Sequence, residues 1–110
     1  MNLEELEIVK EKALENHIPI IMDDTLEYIY ELYKDKSISS ILEIGTAVGY
    51  SAICFTNILK VDGIIDTIER DEERVADAKE NIKLVEVEDK INIISGDAVA
   101  ILPTINKKYD

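Results

Sequence analysis

The stretch ILEIGTAVGYSA, residues 41–52, joins two apolar runs through a turn that carries two glycines. The first run, SSILEI at 39–44, is short and β-branched, the pattern of a buried strand. The second, YSAICFTNILK at 50–60, reads as a mostly apolar helix. Gly45 and Gly49 bracket the turn, where a residue without Cβ lets the backbone reverse and approach a ligand closely. Glu43 is the lone acid in the strand, and if buried it needs hydrogen-bonding partners.

Outward from this unit, apolar runs alternate with helical patterns, the grammar of βαβ units around a parallel sheet. DGIIDTIE at 62–69 is the second strand and KINIIS at 90–95 the third. Between them DEERVADAKENIKLVEV, 71–87, places Val75, Ala78, Ile82 and Val85 on one stripe. Its first turn is acidic and its lysines come later, which suits the helix dipole. DAVAIL at 97–102 is a short helix stopped by Pro103. Two helices precede the first strand. Residues 3–16 align Leu3, Leu6, Val9, Ala13 and Leu14, with Pro19 ending the helix. The second begins at Asp24 as cap, with Glu27 completing the box, and buries Leu26, Ile29, Leu32 and Tyr33. Tyr28, Tyr30 and Tyr33 surround that helix and read as packing and rim residues, not as a stacking platform.

A chain of 110 residues forms one domain at most. Hydrophobic residues at 46% and charged residues at 33% indicate a globular domain. No apolar run is long enough to cross a bilayer, so no membrane partner is expected. The start, MNLEELEIVK, is acidic and amphipathic, unlike a secretory leader, and a cytoplasmic location is expected. The single cysteine, Cys54, excludes an internal disulfide and any multi-cysteine metal site, and reads as a core residue. His17 follows a helix end and reads as a solvated or dipole-facing residue. A net charge of −12 argues against this chain being a main phosphate-binding surface for nucleic acid.

Three acids fall at the carboxyl ends of the three strands: Glu43, Glu69 and Asp97. Ligands of open parallel sheets bind along that edge, so the three can face one ligand. A dinucleotide fingerprint needs glycines at 45, 47 and 50, but Ala47 and Tyr50 stand at two of those positions, and the Gly-Lys-Ser/Thr of a P-loop is absent. The turn therefore serves a ligand whose affinity does not rest on a pyrophosphate. Glu69 lies 20 residues after Gly49, about where a βαβ unit sets an acid on ribose hydroxyls; taken alone it could equally face water. Asp97 with Ala98 can take an adenine amino group, and taken alone Asp97 reads as a helix cap.

Together these segments resemble the S-adenosylmethionine-dependent O-methyltransferases of the catechol and caffeoyl-coenzyme A group, which includes bacterial tRNA hydroxyuridine enzymes. LEIGTAVGYSA is similar to the first motif of that family, IERDEERVADAKENI to its ribose-binding acid and following helix, and SGDAVAILP to its adenine segment. The resemblance implies an α/β fold, a Rossmann-like parallel sheet with flanking helices. It implies a helical cap over residues 1–37 and a cofactor-binding half over 38–110 of a single domain. It assigns Glu43, Gly45, Thr46, Ala47 and Gly49 to the methionine part of the cofactor, and Ser51 to its carboxylate. It gives Glu69 the ribose, Asp97 and Ala98 the adenine, and leaves Ile21 and Met22 both open as rim residues.

Family members are longer, and KYD at 108–110 resembles the lead into their fourth strand. The resemblance thus implies an N-terminal piece, truncated after the third strand, with the divalent-metal (Mg) ligands beyond Asp110. No catalytic or metal residue is assignable in this chain. The expected parent reaction is methyl transfer to a hydroxyl of a small molecule or a modified tRNA nucleoside, with no turnover by the piece alone. The first strand would expose its edge, and homo-oligomers are expected through that edge or through the faces that the family's further helices would cover. Two other readings stand beside this one: a nicotinamide-nucleotide enzyme using Glu69 on ribose, and a non-catalytic protein-interaction module.

Overall fold

A computed structural model describes residues 1–110. Two helices, α1 (Leu3–Glu15) and α2 (Asp23–Tyr33), lead into β1 (Ile38–Ile44), α3 (Tyr50–Phe55), β2 (Leu59–Glu69), α4 (Glu72–Val85), β3 (Ile91–Ser95) and α5 (Ala98–Ile101). The strands form one parallel sheet in the order β1-β2-β3, as the alternating pattern requires. Ile44 lies opposite Ile68 and Glu69 opposite Ser95, so all three strands end together at one edge.

One face of the sheet carries the core. Val9 and Ala13 of α1, Leu26 of α2, Ile53 and Cys54 of α3, and Ala78, Ile82 and Val85 of α4 share a single buried cluster. The N-terminal helices are thus packed into the same core as the βαβ units. The stripe of α4 is buried at all four expected positions, and Cys54 is buried. Leu3 and Leu14 of α1 and Leu32 of α2 are exposed, contrary to expectation. Helix α1 presses only a narrow stripe against α3 and α4, and α2 packs on α3 and on residues Thr56–Ile58 after it, so the outer leucines lie outside the contact.

Several boundaries also differ from the expected ones. Pro19 does not end α1: the helix stops at Glu15, where His17 turns left-handed at φ 56°. The His17 N–H then donates to the Leu14 carbonyl at 3.2 Å and the Ile18 N–H to that of Ala13 at 2.9 Å. Asp24 does not cap α2. Met22 occupies that position without a side-chain hydrogen bond, Asp23 pairs with Lys10 at 2.9 Å, and Asp24 accepts the neighbouring Thr25 N–H. The helix after the turn ends at Phe55, not Lys60. A 3-10 turn at Thr56–Ile58 follows, and Leu59 is already paired with Ile38, because sheet pairing takes the apolar residues that local propensity offered to a helix. Asp71 behaves as a cap, accepting the N–H groups of Glu73 and Arg74 at 2.9 and 3.2 Å.

The opposite face of the sheet carries Asp66, 8% exposed, under the C-terminal segment. Its carboxylate accepts Tyr109 Oη at 2.7 Å, Asn92 Nδ2 at 3.1 Å and Lys107 Nζ at 3.3 Å. From there the chain reaches the free edge of β1. The Asp110 N–H donates to the Ser40 carbonyl at 3.1 Å, and Asp110 Oδ2 accepts the N–H groups of Ser39 and Ser40. Residues beyond Ser40 on that edge are unpaired, and Ile44 is 59% exposed.

Burial alone would raise the Asp66 carboxyl, but hydrogen bonds from Tyr109, Asn92 and Lys107 outweigh it and hold the group below its ordinary value. A carboxyl depressed on folding stabilises above its unfolded value, about pH 4, and that contribution is lost as pH falls through the folded value. Asp66→Asn is expected to cost about 1–2 kcal/mol at pH 7 and progressively less below about pH 4, measured by urea unfolding across that range. Gly49 sits at φ 88°, with the position of a missing Cβ 3.4 Å from Ala78 Cβ. Gly49→Ala is expected to lose about 1–2 kcal/mol from backbone strain and this close contact, read by the same unfolding measurement.

Candidate functional site

The β1–α3 turn is built from left-handed residues: Gly45 at φ 93°, Ala47 at 49° and Gly49 at 88°. This path turns the amides of Gly45 and Thr46 back onto the Ile68 carbonyl, at 2.8 and 3.3 Å, and that of Gly49 onto the Thr46 carbonyl at 2.9 Å. The Ala47 N–H donates to Glu69 Oε1 at 2.8 Å. The other oxygen of Glu69 accepts the Asp71 N–H at 3.1 Å. One carboxylate at the end of β2 therefore fixes the turn on one side and the start of α4 on the other. The amides of Gly45, Thr46, Ala47 and Gly49 are all engaged inside the chain, and a carboxylate already fills the place of an anion. This explains in atoms why the glycine spacing departs from a pyrophosphate-binding turn.

Glu43 lies beneath the turn with Oε1 accepting Thr67 Oγ1 at 2.7 Å and Oε2 accepting Ser51 Oγ at 2.5 Å. Thr67 Oγ1 also meets Thr46 Oγ1 at 2.7 Å, and both threonines are buried. Burial pushes the Glu43 carboxyl up, and the two hydroxyl hydrogen bonds pull the other way. The expectation that a buried acid in ILEI finds partners is met, and the partner absent from the expected set is Thr67. Its signal was available, since residues opposite in a parallel pair share a face and Glu43 lies opposite Thr67.

Along the strand ends a crevice is lined by Ile44, Gly45, Ile68, Glu69, Arg70, Gly96, Asp97 and Ala98. Gly45, Glu69, Asp97 and Ala98 of the expected residues meet there. Glu43, Thr46 and Ser51 form the separate cluster below the turn, Ala47 joins the two through Glu69, and Gly49 is buried against α4. Asp97 caps α5, accepting the Val99 N–H at 2.9 Å through one oxygen. The Thr46 side chain is turned inward, so a ligand would meet its backbone. Ile44, Ile68, Arg70 and Gly96 also line the crevice and were not among the expected residues. Gly96 stands at φ 147°, where an added Cβ would lie 2.7 Å from Ile101 Cδ1, and the SGD turn was the available cue.

The crevice combines an apolar floor from Ile44 and Ile68 with acids at two ends, a set suited to a nucleoside with a diol and an amino-bearing base. No group of three His, Cys, Asp or Glu side chains converges to hold a metal ion, so the donors present do not fit a divalent cation. No helix is long and apolar enough to cross a membrane.

The model of the O-methyltransferase family matches residues 2–110. Catechol O-methyltransferase of Sus scrofa is 31% identical over 72 residues, 66% of this chain and 39% of that protein. That of Niastella koreensis is 36% identical over 80 residues, 73% of this chain and 35% of that protein. A candidate caffeoyl-CoA O-methyltransferase from Staphylococcus aureus superposes with a TM-score of 0.86 at 38% identity, covering 96% of this chain and 50% of its own. An O-methyltransferase from Bacillus cereus, in complex with S-adenosylhomocysteine, gives 0.83 at 28%, covering 97% and 50%. The chain thus spans half or less of the length of these relatives. With the family model matched over residues 2–110 and its parallel sheet superposing on these structures, the chain belongs to the O-methyltransferase family.

Proposed function

We propose that this chain binds S-adenosylmethionine, and its product S-adenosylhomocysteine, across the strand ends, as the cofactor-holding part of an enzyme that methylates a hydroxyl. Residues 38–110 form the cofactor-binding half and residues 1–37 a helical cap packed on the same core. Glu69 receives the ribose hydroxyls on the lone pairs that its two backbone amides leave open. The free oxygen of Asp97 takes the adenine amino group, with Ala98 beside the ring. Glu43, Ser51 and the backbone from Gly45 through Thr46 and Ala47 to Gly49 hold the methionine end. In the transfer itself a lone pair of the acceptor oxygen forms a bond to the methyl carbon as the carbon–sulfur bond breaks and its electron pair stays on sulfur, releasing S-adenosylhomocysteine, while the hydroxyl proton passes to water. The acceptor hydroxyl, of a small molecule or a modified tRNA nucleoside, and a divalent ion to orient it belong to the intact enzyme, with metal donors other than those described. The free edge of β1 gives the isolated chain a surface for self-association.

The observation that carries this reading over a nicotinamide nucleotide is the commitment of the turn amides. With Glu69 on the Ala47 N–H and Ile68 on those of Gly45 and Thr46, the turn offers these donors to no pyrophosphate. Titration calorimetry at millimolar ligand is the test. S-adenosylhomocysteine is expected to bind and NAD not to, and Glu69→Ala is expected to weaken binding by about tenfold or more. Binding of NAD in preference, or no heat with S-adenosylhomocysteine, would contradict the proposal.

A further inference from the structure

The cluster below the turn has a direction that proton counting reveals. An ionised Glu43 can only accept hydrogen bonds, and each hydroxyl owns one proton. Thr67 spends its proton on Glu43 Oε1 at 2.7 Å, and Ser51 spends its own on Oε2. The 2.7 Å contact between the two threonine hydroxyls then requires Thr46 to be the donor and Thr67 the acceptor. Thr46 belongs to the turn, Thr67 to β2 and Glu43 to β1, so a single line of protons runs from the turn, through the middle strand, to the carboxylate. The Ser51 and Thr67 protons point at Glu43 and the Thr46 proton at Thr67, so toward a ligand the cluster presents lone pairs and negative charge.

We infer that Thr67 is a positioning residue for the methionine end of the ligand. It never touches that ligand, yet its hydroxyl holds the turn in place through Thr46 and aims the Glu43 carboxylate. This rests on the S-adenosylmethionine reading above and extends it. The cluster selects a cationic moiety, an ammonium or sulfonium, over the carboxylate that the resemblance assigns to Ser51, because the Ser51 hydroxyl proton is already on Glu43. Thr67 is 0% exposed and Thr46 1%, so no water can replace a lost hydroxyl without the turn opening.

The test uses Thr67→Val, which keeps the shape and removes the relay, Thr67→Ser, which restores a hydroxyl, and Thr46→Val, which removes only the incoming proton. In the unliganded chain, amide hydrogen exchange at Ala47 and Gly49 is expected to quicken about tenfold in Thr67→Val relative to Ile82 in the core, and to return toward the wild-type rate in Thr67→Ser. Thr46→Val is expected to quicken the same two amides, and the double variant to add little to Thr67→Val. S-adenosylhomocysteine affinity is expected to fall by about tenfold in Thr67→Val and to recover in Thr67→Ser. Exchange at Ala47 and Gly49 that changes only in step with Ile82 would overturn the relay, and an affinity unchanged while the turn loosens would overturn the positioning role. If Thr67→Val does not fold, Thr46→Val decides by the same comparison. Absence of binding to the wild-type chain overturns the cofactor reading, and the exchange comparison then decides the relay alone.

Discussion

The Glu69 carboxylate, held between the backbone N–H groups of Ala47 and Asp71, is the constraint on which the site depends. It joins three parts of the chain through one side chain: the β1–α3 turn, the end of β2 and the entry to α4. Carboxylate hydrogen bonds to backbone amides are among the stronger ones available. Here they also settle a question of chemistry. An acid that satisfies the turn from within removes the reason for a third glycine and for a phosphate at the start of α3. The same acid keeps its outer lone pairs toward the crevice, so one side chain shapes the site and serves as a candidate ligand contact.

The rest of the architecture supports that point. Gly49 allows α3 to start hard against Ala78, and Asn81 Nδ2 donates to the Val48 carbonyl at 2.9 Å, pinning the turn to α4 from the side. Below it, the hydroxyls of Ser51 and Thr67 keep the buried Glu43 satisfied. No buried side-chain nitrogen or oxygen lacks a hydrogen-bond partner, so the polar layer under the turn is complete before any ligand arrives. A preorganised site of this kind spends little of its binding energy on ordering itself.

Much of this was legible in the residues. The order of strands and helices followed from apolar runs and their spacing, and α4 was readable to its buried stripe because four well-spaced apolar positions leave one face to choose. Two of the three strand-end acids, Glu69 and Asp97, meet at one crevice as parallel strands ending together allow, whereas Glu43 turns to Ser51 and Thr67 below the turn. What escaped were features set by partners distant in sequence. The end of α3 was lost because Leu59 is claimed by Ile38, and the end of α1 because His17 closes it without a glycine. Leu3, Leu14 and Leu32 fit a helical stripe, yet packing against α3 and α4 buries less than the stripe offers. Asp66 carried no local signal, since its partners Lys107 and Tyr109 lie about forty residues on. Thr67 was passed over because a threonine in a strand is ordinary until its partner across the sheet is an acid.

The most direct test of the account is a nuclear magnetic resonance titration of the chain with S-adenosylhomocysteine, following every backbone amide. Shifts are expected to concentrate at Gly45, Ala47, Glu69, Asp71, Asp97 and Ala98, with the amides of α1 and the middle of α4 unmoved. Shifts centred elsewhere, or none at saturating ligand, would contradict the claim that Glu69 and the turn it holds form the cofactor site.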